Sequence, residues 1–178
     1  MIFLEEDVDA PPEGRLTRWF EGYNQPGDVY LPLVMVDSGD QVSNGDVDFD
    51  DVYSDLIDTS MARPAAARMA VEATRVGDVL HFEILLKNTS GTTLSAANAA
   101  DLTALVYLEP TDPNDLPAVL RSNSMPIPTL TDGATAHFVL EVGVVGLSQS
   151  RIRWVVIADY RPAGLSGKYD MLQAVQRP

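Results

Sequence analysis

The chain has 178 residues with a net charge of −14, a hydrophobic share of 46% and no cysteine. The lack of cysteine excludes disulfides, thiolate metal sites and cysteine nucleophiles, and no apolar run approaches the roughly 18 residues that a membrane-spanning helix needs. Because an acidic surface repels phosphate backbones, nucleic acid is not expected as a partner.

The negative charge is concentrated at the N-terminal end. Residues 1–60 hold 15 acidic and 2 basic residues, whereas residues 61–178 hold 11 acidic and 10 basic residues. A change in composition of this size predicts two units with a hinge at Arg63-Pro64. We therefore expect a first unit at residues 1–62 and a second unit at residues 63–178.

The first unit shows a mixed order of helices and strands. The stretch MIFLEEDVD begins as a short strand, and residues 11–24 carry apolar side chains at helical spacing. YLPLVMV predicts a strand that Pro32 opens, where the missing N–H costs no ladder bond. A glycine-containing turn, a weaker strand and a helix over FDDVYSDLID complete the unit.

This order resembles the second half of a thioredoxin-like domain. EEDVDAPP corresponds to a strand that leads into a helix, Pro32 and the strand after it to the hairpin, and FDDVYSDLID to the last helix. The resemblance implies a cis Leu31–Pro32 bond, a structural role for Pro32 and further sequence upstream of Met1. That upstream part would carry the C-x-x-C pair, which thiol–disulfide or peroxide chemistry requires.

The acidic stretch DVDFDD suggests a calcium site. Asp46, Asp48 and Asp50 have the spacing of positions 1, 3 and 5 of an EF-hand loop. The remaining pattern fails, because Asp51 stands where the loop needs glycine and Ile57 stands where it needs glutamate. The favoured interpretation is a solvated turn whose acids stabilise the start of the next helix.

The second unit consists of short strands separated by turns. Apolar and polar residues alternate in ARMAVEATRV, VLHFEILLK, ATAHFVLEV and RIRWVVIADY. LTALVYLEP and YDMLQAVQ add two strands, and AVLRSNSMPIPTL predicts a proline-broken edge strand. Seven such strands predict a β-sandwich. The phrases LKNTSG, PIPTLTDGATAHFVLEV and VVIADYRP are similar in layout to immunoglobulin-like or fibronectin type III-like domains.

Few residues of the second unit suggest chemistry. His81 and His137 are expected on outward strand faces near Glu83 and Glu141, and no third ligand completes a zinc site. No serine lies in a G-x-S-x-G motif. Trp154 is expected to anchor the core, because it lies on the inward register of the longest β-branched run.

These patterns predict an α+β chain of two units, a partial thioredoxin-like α/β unit followed by an all-β immunoglobulin-like sandwich. We expect a non-catalytic structural or protein-interaction module without a cofactor. It fits the cell envelope as a subunit of an extracytoplasmic or membrane-attached assembly, with a cytoplasmic location as the alternative. The alternative functions are the C-terminal part of a thiol–disulfide or peroxide-handling protein and a calcium-dependent adhesion module.

Overall fold

The computed structural model describes residues 33–45, 49–112, 117–165 and 167–176. A short hairpin comes first, in which a 3-10 turn joins β1 (Leu33–Val36) to β2 (Gln41–Asn44). Helix α1 (Phe49–Met61) follows and packs against both strands. No helix in these ranges is long and apolar enough to span a bilayer. The other strands are β3 (Ala67–Val76), β4 (Val79–Asn88), β5 (Asp101–Leu108), β6 (Val119–Pro126), β7 (Thr135–Gly143), β8 (Ile152–Tyr160) and β9 (Asp170–Gln176).

Strands β3 to β9 form two antiparallel sheets that face each other across one core. The first sheet has the order β3-β4-β7 and the second has the order β6-β5-β8-β9. With the letters used for immunoglobulin domains, β3, β4 and β7 are strands A, B and E, and β6, β5, β8 and β9 are strands C′, C, F and G. This is a Greek-key arrangement of the immunoglobulin-like type, in which the fourth strand of the sandwich, β6, lies beside the third, β5. The sequence-based prediction of a seven-stranded β-sandwich is confirmed.

The strand registers follow the predicted alternation closely. In β4 and β7 the inward residues are buried or half-buried, while most of the residues between them are exposed. A two-residue turn, Gly77-Asp78, joins β3 to β4, so that Val76 pairs with Val79. Gly77 has a φ of 58°, and glycine at the first turn position supplies the backbone that a tight hairpin needs. This turn fixes which side chains of β3 and β4 share a row.

The core depends on an aromatic contact between the two sheets. Phe82 of β4 is fully buried, and Trp154 of β8 has only 7% of its surface exposed. Their ring centroids are 5.4 Å apart at an interplanar angle of 79°, which is the edge-to-face geometry that aromatic pairs favour. Apolar side chains from both sheets surround them, among them Ile84, Leu86, Leu102, Val106, Leu140, Val156 and Leu172.

The outer faces of the two sheets differ in how much of their side-chain surface is buried. On the four-stranded sheet a second buried cluster contains Leu105, Tyr107, Val155 and Ile157. Strand β8 is therefore buried on both faces from Trp154 onwards, although the sequence predicted burial on one register only. The outward residues of β3, β4 and β7 are instead largely exposed. The three-stranded sheet thus offers an open surface.

The described residues give the thioredoxin-like interpretation no support. The hairpin and helix occur in the predicted order, but β1 and β2 pair only with each other in the described part of the chain. Their side chains are mostly half-buried, whereas a strand of an α/β layer is covered on both sides within a larger sheet. Pro32 lies outside the described residues, and the Leu31–Pro32 geometry stays a prediction.

Replacing Trp154 with alanine should lower the free energy of unfolding by about 3–5 kcal/mol, because it leaves a large cavity opposite Phe82. Urea unfolding followed by far-UV circular dichroism measures the loss. Val145→Ala is the control, since Val145 is 67% exposed and its truncation should cost less than about 0.5 kcal/mol. Equal losses for the two variants would contradict the core position of Trp154.

Candidate interaction surface

The outer face of the sheet β3-β4-β7 arranges its side chains in rows that cross all three strands. We call this surface the three-strand face. Its register places four central rows side by side: Arg68-Lys87-Thr135, Ala70-Leu85-His137, Glu72-Glu83-Val139 and Thr74-His81-Glu141. All of these side chains are exposed except His81, which is half-buried. The face is therefore flat, open and chemically mixed.

Two aliphatic side chains lie exposed on the three-strand face, Leu85 on the central strand β4 and Val139 on the edge strand β7. Leu85 is 50% exposed and Val139 is 48% exposed. They lie on neighbouring strands one row apart, at a separation where large side chains of a sheet still interact. Single exposed aliphatic residues are common, but an adjacent pair on a sheet face gives a partner protein apolar area to bury.

Two histidine–glutamate pairs join β4 and β7 on the same face. Nδ1 of His81 lies 2.9 Å from Oε1 of Glu141, and Nε2 of His137 lies 2.5 Å from Oε2 of Glu83. The predicted outward position of both histidines is confirmed. The described part of the chain contains no group of three or more side chains suited to hold a metal ion.

Like charges stand opposite each other in two rows of the three-strand face. Arg68 pairs across the strands with Lys87, and Glu72 pairs with Glu83. Like charges in directly opposed positions destabilise a sheet. All other cationic side chains in the described ranges form a hydrogen bond or an ion pair, and Arg68 and Lys87 do not. This face therefore carries charge that the fold itself leaves unmatched.

A shallow cleft of about 310 Å³ lies between β6 and β7, the edge strands of opposite sheets. Arg121, Asn123 and Glu141 contribute to its walls. The side-chain amide of Asn123 donates a hydrogen bond of 2.8 Å to the backbone carbonyl of Glu141 and so bridges the two edges. The cleft is open to water, and its lining includes Ser122 and Glu141 but no histidine or cysteine.

Arg63 joins the hairpin to the sandwich, at the position where the sequence predicted a hinge. Its guanidinium lies 2.8 Å from a carboxylate oxygen of Asp40, 3.4 Å from Asp37 and 2.5 Å from Asp170. The hydrogen bond with Asp170 raises the pKa of Arg63. Burial raises the pKa of Asp170, and the bond to Arg63 opposes this rise without cancelling it. The single guanidinium of Arg63 therefore forms ion pairs with three carboxylates where the hairpin meets the sandwich.

The other residues that the sequence singled out stand apart from the three-strand face. Asp46 and Asp48 lie outside the described residues, and Asp50 is exposed in the first turn of α1. Acidic side chains there interact favourably with the positive end of the helix dipole. The calcium hypothesis stays a prediction. Trp154 lies in the core and contributes nothing to the surface.

Sequence reasoning placed the histidines outward but missed the charged rows and the Leu85–Val139 pair. The turn between β3 and β4 could have revealed the charged pairs that these two strands form. The two-residue turn at Gly77-Asp78 sets the register of β3 against β4, so the opposition of Arg68 to Lys87 follows by counting back along both strands. No comparable turn joins β4 to β7, because 46 residues separate Asn88 from Thr135.

No protein-family model and no curated protein matches the chain. Among solved structures, it is similar to the sporulation control protein Spo0M from Bacillus subtilis, with 11% identity and a TM-score of 0.36 over 64% of this chain and 48% of that chain. The ligand-binding region of serine-glutamate repeat protein A from Enterococcus faecium shows 12% identity and a TM-score of 0.32 over 61% and 89%. Beta-glucosidase 3B from Thermotoga neapolitana shows 15% identity and a TM-score of 0.33 over 64% and 16%. None of these values assigns a family or an activity.

Replacing Arg63 with methionine should destabilise the protein by about 1–3 kcal/mol near pH 7, less than for a fully buried pair because water screens the site. The loss should shrink on acidification. Because the native pKa of Asp170 is raised, the native state takes up that proton before the unfolded chain does, so the cost of its buried charge disappears as the pH falls.

Urea unfolding of the Arg63→Met protein at about pH 7 and about pH 4 measures this effect, each time against the unmodified chain. Asp170→Asn is the matched variant, because it removes the buried carboxylate charge and keeps the side-chain shape. It should cost less than Arg63→Met at about pH 7, since it leaves no uncompensated charge behind. A loss for Arg63→Met that is independent of pH would contradict the role of Asp170.

Proposed function

We propose that the protein is a non-catalytic interaction module that binds another protein through the three-strand face. The observation that carries this proposal is the combination of exposed Leu85 and Val139 with the unmatched cations Arg68 and Lys87 on one flat surface. The outer face of the other sheet is already buried within the chain. The three-strand face is therefore the sandwich face with apolar area and charge left to offer a partner.

The geometry of the titratable groups also favours recognition over catalysis. The two histidine–glutamate pairs lie on an open sheet face, and only Glu141 borders a cleft, which is shallow and open to water. Catalytic groups act best where the protein excludes water and aims fixed dipoles at the reacting atoms. Paired as they are, His81 and His137 hold the glutamate side chains in place and give the surface a defined shape.

We place this module in the cell envelope, as a subunit of an extracytoplasmic or membrane-attached assembly. The support comes from the sandwich architecture, which serves widely as a spacer or docking unit. The calcium-dependent alternative involves Asp46 and Asp48, which lie outside the described ranges, and the thiol–disulfide alternative needs cysteines, which the given sequence does not contain. Both stay predictions.

We also propose that the chain is built of two units, residues 1–62 and residues 63–178. Limited proteolysis with a protease of broad specificity should cut first between Met61 and Ala67, because Met61, Ala62, Pro64 and Ala65 are exposed between α1 and β3. Mass spectrometry of the fragments identifies the site. A first cut inside the strands β3 to β9 would contradict the division.

Introducing aspartate at both Leu85 and Val139 should weaken binding of a protein partner at least about tenfold, because in the complex each change would bury a charge in place of an aliphatic side chain. The partner is first isolated with the tagged full-length chain from cells of its source. Its affinity for each purified variant is then measured by isothermal titration calorimetry.

Val145→Asp is the matched control for this experiment, because Val145 is exposed but follows the end of β7 and lies outside the rows of the three-strand face. It should leave the partner's affinity unchanged. Thermal unfolding of all variants by circular dichroism separates lost binding from lost fold. Equal affinity of the control and the Leu85→Asp/Val139→Asp variant would rule out this face as the binding site.

A further inference from the structure

We infer that the partner of the three-strand face is the same face of a second copy of the chain, packed with its strands running in the opposite direction. This inference rests on the proposed function, since it names the partner of the same surface. Its basis is the spacing of the charged rows. The cations Arg68 and Lys87 and the anions Glu72 and Glu83 lie in two rows on either side of the Leu85 row.

A two-fold axis that passes over the Leu85 row, in the plane of the face and perpendicular to the strands, makes these rows complementary. It reverses the order of the rows and keeps each strand over its own counterpart. Arg68 of one copy then lies over Glu72 of the other, and Lys87 lies over Glu83. Both contacts occur twice, because a two-fold interface is isologous.

The charge pattern selects this axis over the other two-fold axis in the plane of the face. An axis parallel to the strands keeps each row over itself and exchanges β3 with β7. Lys87 would then lie over Lys87 and Glu83 over Glu83, while Arg68 would lie over Thr135. Like charges would meet at the centre of the interface, which costs affinity. Of the two axes in the plane of the face, the charges therefore favour the one that gives the antiparallel arrangement.

The centre of the antiparallel arrangement contains an aliphatic contact. On the axis, Leu85 and Ala70 of one copy lie over the same residues of the other, and His137, the third residue of that row, lies over its own counterpart at the edge strand. Sheets that pack face to face are about 10 Å apart, a distance that aliphatic side chains from the two faces fill together. The half of the Leu85 surface that is exposed in one copy becomes buried in the pair.

The histidine–glutamate pairs are compatible with this contact. The Glu83 carboxylate uses Oε2 for His137, and a carboxylate has acceptor capacity on both oxygens. Oε1 of Glu83 is therefore left to accept a hydrogen bond from Lys87 of the second copy. Glu72 has no ion pair in the described part of the chain and can receive Arg68 directly.

The net charge of the chain opposes the pairing only weakly. Of the −14 charges, residues 61–178 carry one, since they hold 11 acidic and 10 basic residues. The sandwich that forms the contact is thus almost neutral, and salt at about 0.15 M screens charges that are more than about 8 Å away. The complementary charged rows of the two faces therefore contribute more to association than the net charge of the chain does.

The size of the face limits the strength of the pair. Three strands spaced about 4.8 Å apart and about nine residues long cover an area of roughly 15 by 30 Å. This is below the roughly 800 Å² that each partner buries in a standard stable complex. We therefore expect a reversible dimer with a Kd in the micromolar range or weaker, which requires a concentration series to observe.

Paired charge reversals on the full chain test the inference. The Arg68→Glu/Lys87→Glu variant makes both outer rows acidic, and the Glu72→Lys/Glu83→Lys variant makes both basic. Each variant alone should dimerise at least about tenfold more weakly than the unmodified chain, because like charges then meet in every contact. An equimolar mixture should form heterodimers, since every acidic row meets a basic row. Sedimentation velocity with one variant fluorescently labelled distinguishes the species.

Lys87→Glu and Arg121→Glu form the matched control pair, because they change the net charge equally and Arg121 lies on β6, in the other sheet. Only Lys87→Glu should weaken the dimer. A monomeric unmodified chain at about 1 mM, or a mixture that fails to pair, would overturn self-association. If the Leu85→Asp/Val139→Asp variant then still loses a different protein partner, the face is a binding site and only the identity of its partner is wrong.

Discussion

The whole structure depends on the packing of two central strands against each other across the core. Phe82 of β4 and Trp154 of β8 meet edge to face between the sheets, and the remaining core side chains fill the space around them. Because each of these strands pairs with a neighbour on both sides, their contact also orients β3, β5, β7 and β9. The ladder hydrogen bonds, together with the Gly77-Asp78 turn, then set the positions of the surface rows within the three-stranded sheet.

Packing of the core constrains the residue types at inward positions but not those at outward positions, so the outer faces of the two sheets differ in composition. Inward positions must be apolar, but outward positions of the three-stranded sheet carry charged, polar and a few aliphatic residues. The four-stranded sheet instead buries Leu105 and Val155 on its outer side. A sandwich with one covered and one open sheet presents a single broad surface, and that asymmetry is the structural basis of the proposed interaction.

The uneven charge of the chain has a structural counterpart where the N-terminal hairpin meets the sandwich. The acidic hairpin approaches the sandwich at Asp170, where burial already raises the pKa of that carboxyl group. Arg63 is the cation between them. A single shared cation gives a link that is sensitive to the protonation of its neighbours, whereas the apolar core of the sandwich is not.

The sequence by itself determined the strands, their inward registers and the β-sandwich, because alternation with a period of two is a local property of each strand. It determined much less where a segment was apolar throughout. In β8 the run VVIA fits burial on one face or on both, and only the packing of the four-stranded sheet decided for both.

Only the tertiary structure decided which side chains meet across long sequence separations. Arg63 and Asp170 are 107 positions apart, and the rows of β4 and β7 join segments that no short turn connects. The order of the N-terminal hairpin and helix could be predicted from the sequence, but order alone does not say which sheet a strand joins. Pairing depends on the free energy of the whole fold, and local patterns do not contain it.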